Sequence, residues 1–184
     1  MKCEAFMNTS KKTYMNVNKQ LLVFTLSLIT VTTAMGQLQS KVKCPDLSVD
    51  VLNGTVNDQK PNFGWAEIKG RIPCFTSAVE ESSPDAKCGA AIFYKDKDVT
   101  FYTKRHYIEI RARFVGKCSI PLLGTKRGSL FKTLGNPRMK DDLWEAYDMQ
   151  YGTLILHYNV AGAAGKVIKF QMTTETTETI QLCE

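Results

Sequence analysis

The sequence predicts an α+β protein built as tandem repeats, each a helix plus three strands, with two helices packed on one face of an antiparallel sheet. Three observations predict it. Runs of alternating β-branched and aromatic residues recur in hairpin-like pairs, two short amphipathic segments carry helix start and stop residues, and the order of helix then strands occurs in both halves. At 184 residues with 43% hydrophobic and 10% aromatic content, the chain is long enough for one well-buried core and shows no coiled-coil or collagen-like period.

Residues 1–36 read as a secretory signal peptide. Leu21 to Val31, LLVFTLSLITV, is uncharged and follows Lys19, and Ala34-Met35-Gly36 places small residues where a cleavage site before Gln37 needs them. The run is too short to hold a bilayer, which takes about 20 residues. The competing reading is an internal core helix, but the run has no polar stripe. Met15 is an alternative start, because MNVNKQ is already a conventional basic leader. No cysteine stands at the first mature position, so no lipid anchor and no membrane span is expected. The destination is periplasmic or extracellular. In a eukaryote, Asn53-Gly54-Thr55 would be a glycosylation acceptor.

Residues 37–60 form a lead-in with one alternating run, Leu47 to Leu52, closed by Asn53-Gly54. Residues 61–117 form the first repeat. Pro61, Trp65, Ile68 and Ile72 have helical spacing and Pro73 stops it, which predicts a helix over 62–72. IFY and VTFY around KDKD predict a hairpin, and HYIEIRARF predicts a long strand. In that strand His106, Ile108, Ile110, Ala112 and Phe114 take the core face, while Tyr107, Glu109, Arg111 and Arg113 take the other. Residues 118–184 form the second repeat. Thr125 caps a helix carrying Leu130, Phe131 and Leu134, which ends at Gly135 before Pro137; strands follow over 142–149, 153–158 and 166–173. From Pro73 to Tyr94 and from Pro137 to Tyr158 the spacing is 21 residues in each half. This reads as a degenerate duplication, against coincidence between two helices that precede hairpins.

The formal charge is +6, but Lys2, Lys11, Lys12 and Lys19 against Glu4 supply +3 of it in the signal segment. The +3 left is too balanced to argue for nucleic acid. Five mature cysteines, Cys44, Cys74, Cys88, Cys118 and Cys183, have no CxxC pair and no flanking histidines, so disulfides rather than metal or redox chemistry are expected. Cys74 with Cys88 closes the short loop FTSAVEESSPDAK, worth roughly 3 kcal/mol in the chain-entropy model. Cys44 and Cys183 then tie the mature termini, and Cys118 is left over.

The run GTKRGSLFKTLGNPR followed by WEAYDM, GTLILHYN and GKVIKF resembles the β-lactamase-inhibitor-protein-like superfamily, which also includes the small outer-membrane lipoprotein A proteins. Gly124, Leu130, Leu134, Gly135 and Pro137 match its helix and LGxP exit, Trp144 and Tyr147 its first strand, and Gly165, Lys166 and Val167 its last turn. The match covers about 50 residues, and the first half fits only through the duplication. The resemblance implies two helices over a long antiparallel sheet whose opposite face grips a protein partner. It also implies a disulfide from helix exit to strand, which agrees with Cys74 to Cys88.

No catalytic motif stands in the chain: there is no nucleophile elbow, P-loop, dinucleotide fingerprint or HExxH. Asp141-Asp142 and Glu80-Glu81 are adjacent pairs that point to different sides of an extended backbone. His106 reads as a structural core residue, and Trp65 and Trp144 read as core packing, against the alternative that they are anchors for the partner. No metal and no cofactor is expected. The expectation is therefore a non-enzymatic exported protein that binds another protein, as an inhibitor or immunity-type factor. Its binding face would comprise Tyr107, Glu109, Arg111 and Arg113 with His157, Lys169 and Gln171, against the plainer reading of a solvated sheet face. An envelope-assembly or structural module ranks second, and a hydrolase with an unrecognised site third.

Overall fold

A computed structural model describes residues 43–183. The signal peptide, its cleavage site and the alternative start at Met15 lie outside the described residues. Among the described residues eleven strands and two helices follow one another as β1 (Ser48–Asp50), β2 (Thr55–Val56), α1 (Trp65–Arg71), β3 (Ser77–Val79), β4 (Ala91–Tyr94), β5 (Val99–Tyr102), β6 (Tyr107–Arg111), β7 (Lys117–Cys118), α2 (Arg127–Leu134), β8 (Met139–Lys140), β9 (Trp144–Met149), β10 (Gly152–Tyr158) and β11 (Val167–Thr173). The fold is α+β and mainly antiparallel.

Eight strands form one sheet in the order β3-β4-β5-β6-β11-β10-β9-β8, every pair antiparallel. The two halves meet at its centre, where β6 pairs with β11 and Ile110, Glu109, Ile108 and Tyr107 stand opposite Phe170, Gln171, Met172 and Thr173. A smaller sheet, β2-β1-β7, contains the only parallel pair among the described strands, β1 with β7.

Period-two alternation puts Ile92, Phe101, Ile108, Ile110, Phe170, Met172, Leu154 and Leu156 on one side of the large sheet, where all are buried. Ile68 of α1 and Leu130 of α2 are buried in the same core, with Leu47, Val49, Val51 and Val56 from the small sheet's end of the chain. Helix α1 has Glu67 in its first turn and Lys69 and Arg71 in its last, the arrangement the helix dipole favours, and Glu67 pairs with Arg71 at 3.2 Å. It stops at Ile72 because Pro73 offers no amide hydrogen and pushes the residue before it toward extended backbone. The Tyr94 hydroxyl donates to the Ile72 carbonyl at 2.6 Å and fastens that end to β4. Helix α2 ends on Gly135 at φ 75°, whose amide returns to the Phe131 carbonyl at 2.9 Å.

Several expectations are corrected here. Thr125 does not cap α2: Lys126 is the N-cap without a side-chain bond, and the Thr125 hydroxyl donates to the Pro121 carbonyl instead. Phe131 points outward, 61% exposed. His106 is not on the core face. It is an exposed turn residue at φ 52°, a conformation histidine tolerates better than most, and its carbonyl accepts the Thr173 hydroxyl. The strand ends at Arg111, so Ala112 is exposed as well.

The disulfides use four of the expected cysteines in a different pairing. Cys44 joins Cys74 and Cys88 joins Cys183, so both Cys74 to Cys88 and Cys44 to Cys183 are wrong; Cys118 is the free thiol. The reason is placement. Cys74, at φ 70° just past α1, meets the segment that leads into β1, while Cys88 packs with Tyr102 and Tyr107 beside Leu182 and Cys183. The sequence separations are 30 and 95 residues, closures worth roughly 3.6 and 4.7 kcal/mol in the chain-entropy model, each more than the short loop offers.

Candidate functional site

The side of the large sheet away from the helices is where the sequence placed its polar residues, and register brings them together. Across β6, β11 and β10, Arg111 stands opposite Lys169 and Lys169 opposite His157, while Glu109 stands opposite Gln171. Glu109 is the centre of this group. Its carboxylate accepts from Arg111 Nε at 2.5 Å, Gln171 Nε2 at 2.8 Å and Lys169 Nζ at 3.3 Å, and its side chain is only 3% exposed. An unpaired carboxylate there would be strongly disfavoured. Burial pushes its pKa up, but the Lys169 charge and the Arg111 hydrogen bond outweigh burial and hold it below the ordinary value.

His157 extends the chain of bonds, with Nε2 2.7 Å from Gln171 Oε1. Because the Gln171 amide nitrogen donates to Glu109, its oxygen is the acceptor left for histidine, so His157 carries a proton on Nε2.

The group divides into internal and displayed members. Tyr107, Glu109 and Gln171 are 1–2% exposed and do not form an open surface, contrary to expectation. Arg111 and Lys169 reach outward, with side chains 54% and 28% exposed. Arg113 lies beyond the strand, where its backbone amide and Nε meet the Asp98 carboxylate at 2.9 and 3.8 Å and its side chain is 87% exposed.

Tyr107 is buried because the chain covers it. Residues 174–183 cross this side of the sheet as a strap: Thr153 Oγ1 donates to the Glu175 carbonyl, Arg105 to the Leu182 carbonyl, and the Cys183 amide to the Tyr107 hydroxyl. Tyr107 stacks on Tyr102 with centroids 4.4 Å apart, and Leu182 and Cys183 pack on the pair. Burial raises the pKa of Tyr107. Between strap and sheet lies a cleft of about 320 Å³ lined by Trp144, Ile155, His157, Ile180 and Leu182. Trp144 therefore faces the strap rather than the core, while Trp65 packs partly buried against the core as expected.

A second buried carboxylate lies at the N-terminal end of α2. Glu145 accepts from Tyr158 at 2.6 Å, Tyr147 at 2.7 Å and Arg127 Nε at 2.9 Å, and Arg127 spends its remaining nitrogens on the carbonyls of Asp141 and Asp142. Every strong donor is matched, so this group clamps α2 to β9 and β10. Among the described residues no three His, Cys, Asp or Glu side chains are grouped to hold a metal ion, and no helix is long and apolar enough to cross a membrane.

Compared with protein-family models, curated proteins and solved structures, the chain finds no match.

Sequence reasoning missed the strap, the Arg127 and Glu145 clamp, and the pocket formed by Phe93, Lys95, Thr100, Arg111 and Arg113. Phe93 and Lys95 are two apart, so alternation alone assigns them to one side of β4. Only the pairing of Phe93 with Thr100 and of Thr100 with Glu109 brings them beside Arg111.

Proposed function

We propose that this is an exported, disulfide-bonded, non-enzymatic protein that binds another protein through the uncovered part of the polar sheet side, in an inhibitor or immunity-type role. The observation that carries the reading is Glu109. A carboxylate buried at the junction of the two halves costs stability unless it is needed, and here it fixes Arg111 and Lys169 in one orientation facing outward. Arginine held in this way is a preorganised anchor, losing little freedom on binding. Two disulfides and the leader-like segment support export.

We also propose that the two halves arose by duplication, in keeping with the superfamily resemblance of the second half. What supports this is the sheet order, in which α1 is followed by β3 to β6, α2 by β8 to β11, and the last strand of each set lies at the centre.

The test is site-specific photo-cross-linking of the oxidised protein in envelope and secreted fractions. A photoreactive residue at position 96, in the turn between β4 and β5, is compared with one at position 131 on the exposed side of α2. A single stoichiometric adduct from 96 and none from 131 is expected. Equal adducts from both, or none from either, would overturn the reading.

A further inference from the structure

Beside the Glu109 group, the β4–β5 hairpin and the end of β6 enclose a pocket of about 320 Å³. Its floor is Phe93, which stands in register with Thr100. Lys95, Arg111 and Arg113 rim it, and all three are exposed. Lys95 Nζ lies 5.9 Å from the centroid of the Phe93 ring. The one carboxylate in the lining, Asp98, is already engaged by the Arg113 amide and guanidinium. The lining therefore carries a formal surplus of two positive charges. Glu109 and Lys169 behind it cancel each other and leave that surplus unchanged.

Three cations lining one pocket against a single carboxylate repel one another, and an incoming anion relieves the repulsion. The size of the surplus and its setting select the anion. Two planar guanidinium groups match the two oxygens of a carboxylate, and a phenyl ring beside them accepts methylenes or a second ring. The cations beside the pocket are interrupted rather than set in the row a polyanion would follow: the hairpin residues Asp96 and Lys97 are of opposite sign, and Lys169, opposite Arg111, is paired with Glu109.

We propose that this pocket seats a Glu or Asp side chain from an acidic element of the protein partner, with Arg111 and Arg113 on the carboxylate and Phe93 beneath its stem. The inference rests on the protein-binding reading above and assigns that partner its chemistry. Arg111 sets the geometry because Glu109 fixes it; Lys95 and Arg113 supply the adjustable charge.

The test is an NMR titration of the ¹⁵N-labelled, oxidised protein with the peptide acetyl-Gly-Glu-Phe-Glu-Gly-amide, its Gln-for-Glu counterpart, and inorganic phosphate. Shift changes confined to the amides of Phe93, Lys95, Thr100, Arg111 and Arg113 are expected with the Glu peptide. Lys95→Gln and Arg113→Gln, both at exposed positions, should each weaken it at least fivefold while leaving the rest of the spectrum in place. Equal response to the Gln peptide, changes elsewhere on the molecule, or phosphate binding without peptide binding would overturn the proposal. The two readings fail separately. A cross-linked partner at position 96 that persists unchanged in the Lys95→Gln/Arg113→Gln protein leaves the binding face standing and removes the carboxylate.

Discussion

Glu109 of β6 and Gln171 of β11 face each other across the central strand pair, and the Gln171 amide donates to the Glu109 carboxylate at 2.8 Å. The contact joins the first half of the chain to the second through two side chains that are both almost fully buried. Around it the rest of the polar side is ordered, from His157 at one end to Arg111 at the other.

Gln171→Leu removes one donor from Glu109 and the acceptor from His157 without leaving a hole. A hydrogen bond to a charged group is worth about 1.5–3 kcal/mol, and a buried carboxylate left short of a donor falls in the same range. The urea midpoint should drop accordingly with an unchanged slope. A loss below about 0.5 kcal/mol, the range of ordinary surface substitutions, would mean that solvent already satisfies Glu109.

Acid should weaken the same region. Glu109 and Glu145 both have folded pKa values held below the ordinary 4.5, burial being outweighed by Lys169 and Arg111 in the first case and by Tyr158, Tyr147 and Arg127 in the second. A depressed carboxylate contributes stability that is complete above its unfolded pKa and lost as pH falls through the folded one. Thermal midpoints should therefore be flat from neutrality to about pH 5.5 and fall below about pH 4.5. Glu109→Gln should lower the midpoint at pH 7 yet reduce its acid dependence; an unaltered acid limb would show that Glu109 is not among the groups responsible.

The alternation that placed Arg111, Lys169, His157, Glu109 and Gln171 on one side was legible because side-chain direction in a strand depends only on parity. Which of them remain open was not. That depends on residues 174–183, TETTETIQLC, which have neither period and acquire their path from Cys183. Cysteine pairing is itself a matter of three-dimensional placement, and loop length favoured the wrong partner for Cys74. The strands missed, β2, β3, β7 and β8, are only two or three residues long, too short for a pattern to form. Pocket residues Phe93 and Lys95 needed the cross-strand register that a single sequence does not display.

The strap gives a test of its own. Cys183→Ser releases the end that covers Tyr102 and Tyr107, and it removes the longer of the two disulfide closures. A loss of about 2–4 kcal/mol is expected, the usual worth of a native disulfide. Hydrogen exchange should speed up at residues 175–183 and in β6 near Tyr107, while β1, held by Cys44 and Cys74, keeps its protection. Exchange spreading equally through both sheets would mean that the strap is part of the global folding unit rather than a separable cover.

Arg127 distinguishes a structural clamp from a mere surface charge. Its guanidinium makes three directed bonds, to Glu145 and to the carbonyls of Asp141 and Asp142, and lies 4.7 Å from the Tyr158 ring. Its side chain is only 11% exposed. Lysine keeps the charge but lacks the planar fork, so Arg127→Lys can hold Glu145 or the carbonyls but not all three. We expect Arg127→Lys to cost about 1.5–3 kcal/mol by urea unfolding, comparable to a lost hydrogen bond to a charged group. The loss should be accompanied by faster exchange in α2 and at the start of β9, while the Glu109 group on the opposite side keeps its shifts. If Arg127→Lys matched the parent in stability, charge alone would hold α2 in place and the fork would be dispensable.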